Sequence, residues 1–540
     1  MPNSAELQLQ STDYAVIAAY FVGILAVGVY VSVQRREEDD HFLAGRSFGW
    51  FNVGLSVFGT NINPSFLIAS ASAAYATGMA TANFEWMAWP FLLLLAMVFA
   101  PHYLNTRVTT MPQFVRRRFG PASAEFLSWY ALLSTIVLWL GGALYTGGLL
   151  LSQILDIPLW GAVVALTGVA TFLTVAGGLA VIMVTDMLQS LLMIAGASTV
   201  TFLGLYHIGG LENLLAAVPA DRWALIRPAN DPDYPWIAMV LGYPVLGVWF
   251  WCTDQTIVQR ILGARDLKQA QLGALFTGFL KVATPFIFTL PGIMCAVLHP
   301  KLEDSDQAFL TMVNYLPVGM VGLIVAVLIA ALISTIDSGL NSFSTIFTLD
   351  IYQRKFRPDA SPQHIKTVGR VVTIGIAIVS IGIALSMQSV GKNLFDLLQS
   401  IIAYFAPPMA AVFLIGILWR GATATAALWT LVCGSAVSLG FGLIDFFKEP
   451  ITSQFGIEIQ LPHFLMMSFY LFSGISLFMI LLSLVTENAS CEEHLPSPNK
   501  ASQQLGSKTG LIWAGWALLA LIMIGIYVLF SSAEGTSALN

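Results

Sequence analysis

The chain has 540 residues and a formal net charge of −6, and 57% of its residues are hydrophobic while only 10% are charged. So little polar surface excludes a water-soluble protein and indicates a polytopic membrane protein. The charge balance also excludes a nucleic-acid-binding protein. The sequence shows no pairing of nucleophile and base, and its four cysteines lack metal-ligand spacing, so neither an enzyme nor a zinc site is indicated.

Apolar segments long enough to cross a bilayer follow one another along the chain, which predicts an all-α protein with about 14 transmembrane helices. They cover roughly residues 14–32, 50–75, 80–102, 125–153, 158–177, 179–206, 236–256, 269–297, 315–349, 368–388, 393–418, 422–444, 463–485 and 511–530. The first segment lacks the basic region and cleavage site of a signal peptide, so we expect it to remain as an anchor.

The distribution of Lys and Arg predicts the orientation, because basic loops stay on the cytoplasmic side. With the N-terminus outside, the inner loops carry 18 of the 24 basic residues, the outer side carries 5, and Lys281 lies within the membrane. We therefore expect a multi-pass protein of the cell membrane, plasma or inner, with both termini outside.

The second segment is interrupted in its middle by Asn61-Ile62-Asn63-Pro64-Ser65. Lipid offers no water to satisfy freed backbone groups, so such a break survives only where protein buries it or where it lines a cavity. The seventh segment carries Gly242-Tyr243-Pro244 and Gly247 in apolar surroundings. Two interrupted segments at corresponding positions of two halves indicate the substrate site of a secondary transporter.

The two interrupted segments, taken as equivalents, are five segments apart. Residues 50–206 then form a first repeat and residues 236–418 a second one, and an odd number of segments per repeat inverts the second relative to the first. The predicted organisation is one membrane transporter domain over residues 1–540, with an extra N-terminal helix at 14–32 and additional C-terminal helices at 422–530.

Ionisable and amide side chains inside the predicted segments are few, and a charged one costs roughly 2.5–3.5 kcal/mol at the membrane centre. The candidates are Glu85, Asp186, Asp254, Lys281, Asp337 and Gln399. The repeat arrangement brings their segments around one centre, which favours a solute site. For each residue alone, a structural salt bridge or an interfacial position is the alternative.

The stretch Ser334-Thr335-Ile336-Asp337-Ser338 presents hydroxyls and one carboxylate within about one helical turn. Sodium is a hard cation that prefers several oxygen ligands, and these hydroxyls, with carbonyls freed between Gly59 and Ile62, would form such a cage. The alternative is that the small hydroxyls only permit close helix packing or bond back to the preceding turn.

An aromatic run, Trp249-Phe250-Trp251, lies beside the second interrupted stretch. Such side chains can stack on a sugar ring or close a cavity in the manner of a lid. The same run is also typical of an anchor at the membrane interface, and that alternative stays open.

Several motifs of the chain resemble the sodium/solute symporter family, and most closely its sodium–glucose cotransporter branch. The specific signals are the Trp251-Cys252-Thr253-Asp254-Gln255 block, the Val258-Gln259-Arg260 that follows it, and the Tyr404 to Pro408 end of the eleventh segment. Further matches are Gly45-Arg46-Ser47, Asn61-Ile62, Phe84-Glu85-Trp86, Thr185-Asp186 with Gln189, Leu280-Lys281, Pro291-Gly292, Asn341-Ser342 and Asp350-Ile351-Tyr352.

The resemblance implies a leucine-transporter-like core of two inverted five-helix repeats that couples sodium entry to solute entry by alternating access. By position, it implies a sodium site of three backbone carbonyls and two hydroxyls, from Gly59, Ile62 and Ala331 and from Ser334 and Thr335 respectively. The implied solute contacts are Asn61, Glu85, Lys281 and Gln399, with Trp251 beside the inner gate. Some members have a further sodium site, which maps onto Asp186, Ser334, Asp337 and Ser338. A salt bridge from Asp337 to a neighbouring base is the alternative there.

Three positions depart from the sugar carriers that the chain resembles. Phe66 replaces a hydrogen-bonding Gln or His, Phe250 replaces a gate tyrosine, and Gly247 replaces a polar residue. Each change removes a hydrogen-bonding group, and each unsatisfied polar group of a bound sugar costs roughly 1–3 kcal/mol. We include Phe66 and Phe250 among the expected solute contacts, and sodium coupling is better supported than glucose itself.

We therefore expect a sodium-coupled symporter that imports a small polar organic solute, a sugar or polyol, with Na⁺ as the co-transported ion. The first alternative is a carrier of an organic acid or another non-sugar solute, in which Lys281 pairs with the solute carboxylate. The second is a membrane sensor that binds solute without moving it, against which the short inner loops argue because they leave no signalling module.

Overall fold

The computed structural model describes residues 9–34, 42–62, 64–387, 394–455, 460–487 and 510–531. Within these residues the chain is helical, and its extended pairing is limited to isolated bridges, Phe48 with Ala264 and Arg227 with Pro235. The prediction of an all-α membrane protein is confirmed.

The α-helices fall into two sets along the chain. Those before residue 220 are α1 Ser11–Gln34, α2 Trp50–Asn61, α3 Pro64–Thr77, α4 Asn83–Trp86, α5 Trp89–Leu94, α6 Ala100–Asn105, α7 Met111–Phe119, α8 Pro121–Ser134, α9 Ala143–Leu155, α10 Leu159–Ile208 and α11 Leu211–Ala217. Those after it are α12 Trp236–Gly247, α13 Gln255–Leu262, α14 Leu267–Thr284, α15 Leu290–Leu298, α16 Ala308–Val313, α17 Met320–Ile346, α18 Pro362–Ser386, α19 Leu394–Leu418, α20 Ala424–Phe455, α21 Phe464–Val485 and α22 Gly510–Leu529.

Wider π-helical turns extend several of these helices, at Leu95–Phe99, Thr135–Gly142, Val248–Thr253, Pro285–Thr289 and Phe347–Gln353. Such turns are rare in proteins and are frequent at functional sites. Two of them, Thr135–Gly142 and Val248–Thr253, contribute to the lining of the cavity described below.

Twelve helical stretches in the described residues are long and apolar enough to cross a membrane. Two of the fourteen predicted segments, 158–177 and 179–206, join in the 50-residue helix α10, which bends at Gly178. Gly178 has φ 55° and ψ −149°, a backbone conformation that is open essentially to glycine alone. The interrupted second segment forms α2 and α3, each too short to span alone.

The predicted break in the second segment lies where the sequence indicates it. Helix α2 ends at Asn61, and Ile62 leaves the helical region with φ −89° and ψ 89°. The N–H of Ile62 still donates to the carbonyl of Phe58, so the end of α2 is capped from within. Pro64 at the start of α3 lacks an N–H, which suits the first position of a helix.

The break in the seventh segment lies later than we expected from Gly242-Tyr243-Pro244. Helix α12 continues through Pro244, and the helical path ends at Asp254, which has φ −69° and ψ 130°. The glycines serve close packing instead: a Cβ atom at Gly242 would lie 2.1 Å from the backbone oxygen of Leu465, and one at Gly247 would lie 2.4 Å from the Phe91 ring. The interpretation of Gly242-Tyr243-Pro244 as the break is therefore wrong.

Helix α17 and its π-helical extension form the centre of the molecule. In its most apolar stretch 89% of the residues are buried, against 22% in α1 and 28% in α22. Helix α17 packs against α10, α1, α18 and α2. The residues of α17 that are expected to bind sodium are thus enclosed by protein, whereas the terminal helices are largely exposed on the surface of the helix bundle.

Candidate functional site

A cavity of about 120 Å³ lies where the end of α2 meets α4, the two π-helical turns, α12 and α19. It is lined by Asn61, Phe84, Glu85, Leu138, Trp139, Ala143, Tyr243, Leu246, Gly247, Trp249, Phe250, Trp251, Gln399 and Ile402. Pockets for drug-sized ligands occupy roughly 300–1,000 Å³, so this cavity suits a small solute.

Glu85 is presented to the cavity by the short helix α4, which neighbouring side chains hold in place. The Asn83 amide donates to the carbonyl oxygens of Ala80 and Leu225, and it accepts from the Tyr527 hydroxyl at 2.7 Å. The Trp86 indole donates to the Val282 carbonyl at 3.1 Å. Two residues that flank Glu85 thereby tie its helix to the last helix and to α14.

The buried Lys281 joins two of the expected solute contacts. Its ammonium group donates to the Glu85 carboxylate and to the side-chain oxygen of Asn61, and it lies 5.3 Å from the centre of the Trp251 ring. Asn61 and Glu85 line the cavity, and Lys281 contacts both of them without being part of the described lining. The polar part of the lining therefore includes the oxygen acceptors of Asn61 and Glu85, and the ammonium group of Lys281 balances the charge of Glu85.

Gln399 reaches the cavity from α19 and is 7% exposed. Its amide has two N–H donors and a carbonyl acceptor, so it can donate a hydrogen bond to a solute hydroxyl or accept one from it. The structure thus brings together Asn61, Glu85, Lys281 and Gln399, although they come from four different helices.

Aromatic rings form the rest of the cavity wall. Phe250 lies 4.9 Å from Trp251 and 5.8 Å from Trp139 between ring centres. The indole N–H of Trp249 is buried and has no hydrogen-bond partner among the described residues, so it is available to donate to a solute. Tyr243 is already engaged, because its hydroxyl donates to the Phe84 carbonyl at 2.6 Å.

Phe66, another expected contact, is the third residue of α3 and so lies close to the break. Its side chain lies outside the described part of the structure.

The residues expected to bind sodium lie at the end of α2 and in the middle of α17. The Thr335 hydroxyl donates to the Ala331 carbonyl at 3.0 Å, so these two lie side by side on one turn. Gly59 permits a close approach of α10, since a Cβ atom there would lie 2.4 Å from the Ser190 hydroxyl. The Ser334 hydroxyl donates to Asp186 and thus lies on the side of the second expected site.

The residues of the second expected sodium site form one buried cluster. The Asp186 carboxylate accepts hydrogen bonds from Ser334 and from Ser56, the latter at 2.7 Å. The Ser338 hydroxyl donates to the Ser334 carbonyl at 2.6 Å. Asp337 lies beside Ser338, and one of its carboxylate oxygens has no hydrogen-bond partner within the described residues.

Arg260 lies inside this cluster and was missed as a site residue. Its guanidinium group is 3.4 Å from the Asp186 carboxylate and donates to the Ser338 hydroxyl, and both charged side chains are fully buried. The predicted orientation places Arg260 among the 18 basic residues of the inner loops. The signal that could have placed it is the apolar spacing of Ile257 and Ile261 around it, which predicts a buried helix rather than a loop.

Trp139 was also missed. It lines the cavity, and its indole N–H donates to the Asp254 carboxylate at 3.3 Å, which links the π-helical turn Thr135–Gly142 to the break after Thr253. A tryptophan in the middle of a predicted segment, beside Gly141 and Gly142, was a usable signal, because tryptophan prefers the membrane interface.

Known proteins resemble this chain over most of its length. A model of the sodium:solute symporter family matches residues 41–434. The chain is 34% identical over 527 residues to sodium/myo-inositol cotransporter 2 of Oryctolagus cuniculus, covering 90% of this chain and 78% of the relative. It is 32% identical over 532 residues to sodium/glucose cotransporter 4 of Danio rerio, covering 91% and 80%.

Among solved structures, the chain is similar to a substrate-bound, outward-open Na⁺-coupled sialic acid symporter. The TM-score is 0.77 at 22% sequence identity, covering 89% of this chain and 99% of that one. At 22% sequence identity, this similarity shows that the two chains share a fold.

Proposed function

Because this chain belongs to the sodium:solute symporter family, we propose that it imports a small sugar or polyol together with sodium, through the cavity bounded by Asn61, Glu85 and Gln399. The driving force is large enough for accumulation, since each sodium charge crossing the membrane field contributes about 2.3 kcal/mol per 100 mV. The named relatives transport glucose and myo-inositol, both rich in hydroxyl groups.

The observation that carries the choice of solute is the pairing of Lys281 with Glu85. A solute hydroxyl entering the cavity meets the acceptors of Glu85 and Asn61 and the amide of Gln399. A solute carboxylate would meet the Glu85 carboxylate first, while the positive charge of Lys281 is already neutralised. The organic-acid alternative is therefore less well supported by this arrangement.

The apolar part of the cavity lining favours a solute that is less polar than a plain hexose. Phe250, Leu246 and Ile402 offer no hydrogen bonds, and the Phe91 ring occupies the space that a side chain at position 247 would need. We expect a deoxy, N-acyl or otherwise partly apolar sugar or polyol to rival or exceed glucose, because plain hydroxyls against this wall would remain unpaired.

Sodium-driven uptake into proteoliposomes tests the assignment. Labelled myo-inositol is the tracer, and glucose, mannose, an N-acetylated hexose and lactate are the competitors. We expect sodium-dependent uptake that the sugars inhibit and lactate does not. Inhibition by lactate alone would reject the sugar or polyol assignment in favour of the organic acid, and saturable binding without uptake would favour the sensor.

The proposed cation sites are the cage of Gly59, Ile62, Ala331, Ser334 and Thr335, and a second site at Asp186, Ser334, Asp337 and Ser338. Support for the first is the backbone of Ile62, which leaves the helical region at the end of α2, together with the buried hydroxyls of α17, a helix that packs against α2. Support for the second is the carboxylate oxygen of Asp337, which is buried without a hydrogen-bond partner among the described residues.

The proposed repeats, residues 50–206 and 236–418, each begin with a broken segment, at Ile62 and at Asp254. The proposed orientation has both termini outside. Removing the buried Arg260 from the inner-loop residues leaves 17 basic residues on the inner side against 5 outside, so the asymmetry persists.

The orientation is tested with a cysteine introduced as Ser4→Cys or Ser537→Cys after the native Cys433 and Cys491 are replaced by serine. We expect an impermeant thiol reagent to label either variant in intact cells. Labelling only after lysis would reverse the orientation and the sidedness of both gates.

A further inference from the structure

A second cavity, of about 460 Å³, lies on the other side of α19 from the substrate cavity. Its walls come from α8 with the π-helical turn that follows, from α19 and from α20. It is lined by Leu133, Val137, Ser400, Ile401, Tyr404, Phe405, Leu439, Gly442, Leu443, Asp445, Phe446 and Lys448.

The cavity opens toward the lipid. Leu133 and Leu443 on its lining are 45% and 60% exposed, and both belong to membrane-spanning helices. A large apolar side chain exposed on such a helix faces acyl chains, and the lining of the cavity is mostly apolar as well. We therefore expect hydrocarbon chains rather than water to fill this cavity.

The cavity is built by specific contacts between α19 and α20. Gly442 allows α20 to lie directly against Tyr404, since a Cβ atom at Gly442 would be 2.9 Å from the Tyr404 ring. The Ser438 hydroxyl donates to the Tyr404 carbonyl at 2.6 Å. These contacts hold the two helices together on one side of the cavity.

One end of the cavity is charged. Lys448 and Asp445 form an ion pair at 3.1 Å, with side chains 38% and 16% exposed, and the sequence turns polar at Lys448 after the apolar Phe446 and Phe447. Tyr404 interacts with Asp445 from the inner wall. From Lys448 to Leu439 the helix rises about 14 Å at 1.5 Å per residue, which is close to half of a hydrocarbon core of about 30 Å. The cavity therefore has the depth of one leaflet.

We propose that this cavity binds a phospholipid of the surrounding leaflet with a primary-amine headgroup, of the phosphatidylethanolamine type. One acyl chain lies along Leu439 and Leu443, the phosphate pairs with Lys448, and the ammonium group donates to Asp445. The acid and the base stand one helical turn apart, which matches the paired opposite charges of such a headgroup.

Other bilayer lipids fit these charges less well. A choline headgroup has no N–H to donate to Asp445, and its methyl groups need more room than this largely buried carboxylate leaves. An anionic headgroup without an amine has no group to pair with Asp445, and its negative charge is repelled by that carboxylate. A sterol hydroxyl can satisfy only one of the two charged groups.

The site lies directly behind residues of the substrate cavity. Ser400 and Ile401 face the lipid cavity, while Gln399 and Ile402, their neighbours on α19, line the substrate cavity. An occupied lipid site would hold this part of α19 between two ligands. Lipid composition should then alter the apparent affinity for solute.

Native mass spectrometry of the purified full chain tests the proposal. The protein is equilibrated with equal amounts of phosphatidylethanolamine, phosphatidylcholine, phosphatidylglycerol and cholesterol, and retained lipid is counted. We expect phosphatidylethanolamine to be retained preferentially. Lys448→Met and Asp445→Asn should each weaken its binding about tenfold, the loss of one charge-assisted hydrogen bond, while Lys448→Arg should preserve it.

Filling the cavity gives a second test that does not depend on the charged pair. Leu439→Trp should displace the lipid, whereas Leu477→Trp, at a lipid-facing position of α21 that is 56% exposed, should retain it. Equal retention of all four lipids, preference for phosphatidylglycerol or cholesterol, or full retention in Lys448→Met and Leu439→Trp would each overturn the assignment. Retention is measured without transport, so it is independent of the proposed sugar.

Discussion

Two buried ion pairs lie near the centre of this protein, and they differ in charge balance and in access. Lys281 and Glu85 form one acid–base pair beside the substrate cavity. In the second pair, Arg260 is the one base of its cluster among the described residues. It lies beside Asp186 and Asp337, it also interacts with Asp254, and all four side chains are buried. The first arrangement balances its charge and offers oxygen acceptors to a solute. The second has more acids than bases, which favours a cation.

The two clusters are therefore suited to different ligands, the first to an uncharged solute and the second to a cation. The Lys281–Glu85 pair has no net charge and so does not favour a charged ligand. It can therefore select among uncharged, hydroxyl-rich solutes by hydrogen bonding. A cluster with an excess carboxylate gains from a bound cation, because the cation removes an uncompensated buried charge. Variants that change one cluster should therefore alter solute dependence and sodium dependence separately.

The largest effect is expected from Lys281→Met. It strands the Glu85 carboxylate in a buried site, which costs roughly 3–5 kcal/mol and should abolish uptake while lowering the unfolding temperature. The double variant Lys281→Met with Glu85→Gln should recover much of the thermal stability, and Lys268→Met, an exposed lysine on the same helix, should be neutral. Thermal unfolding in detergent measures all three. An unchanged unfolding temperature in Lys281→Met would show that the pair is not the buried unit described.

Gln399→Ala is expected to weaken solute uptake by the equivalent of roughly 1–3 kcal/mol, the usual cost of leaving a buried polar group unpaired. Sodium binding without solute should persist, because the proposed cage lies on α2 and α17. The matched control is Ser380→Ala, a buried serine of α18 that is not part of the lining of either cavity. Solute titrations of uptake and sodium-induced changes in tryptophan fluorescence separate the two effects. Intact solute affinity in Gln399→Ala would remove this residue from the site.

Asp337→Asn removes one acid of the cluster without breaking the Asp186–Arg260 pair. We expect the sodium concentration for half-maximal uptake to rise about tenfold, equivalent to roughly 1.4 kcal/mol, with little change in thermal stability. Sodium titrations of uptake at saturating solute measure this change. If solute affinity fell while sodium dependence stayed normal, the distinction between the two clusters would fail.

The smallest effect is expected from Thr335→Ala, which removes one neutral ligand of the proposed cage. The sodium concentration for half-maximal uptake should rise several-fold, equivalent to about 1 kcal/mol for one neutral hydrogen-bonding group. Thr373→Ala is a close control, since the Thr373 hydroxyl is buried and donates to the carbonyl four residues earlier, as in Thr335. Equal sodium dependence in the two variants would reject the cage.

Local features of the sequence predicted much of the fold. Composition indicates the membrane, because a chain that is 10% charged cannot cover its surface with polar groups. The break at Ile62 was predictable because Asn, Pro and Ser interrupt an apolar segment at one place. The break at Asp254 was not, because Pro244 and its glycines look like an interruption although α12 passes through them. Whether a glycine ends a helix or permits close packing depends on what lies against it.

The sequence by itself thus determined which residues are out of place in lipid, Lys281, Glu85, Asp186 and Asp337 among them, since each carries a charge that hydrocarbon does not solvate. Only the tertiary structure decided their partners. Lys281 meets a carboxylate 196 residues away and an amide 220 residues away, and Arg260 reaches an acid at a separation of 74 residues. Helical periodicity relates residues three or four positions apart. Pairings over longer separations follow from how whole helices pack, and that packing also left the two cavities on either side of α19.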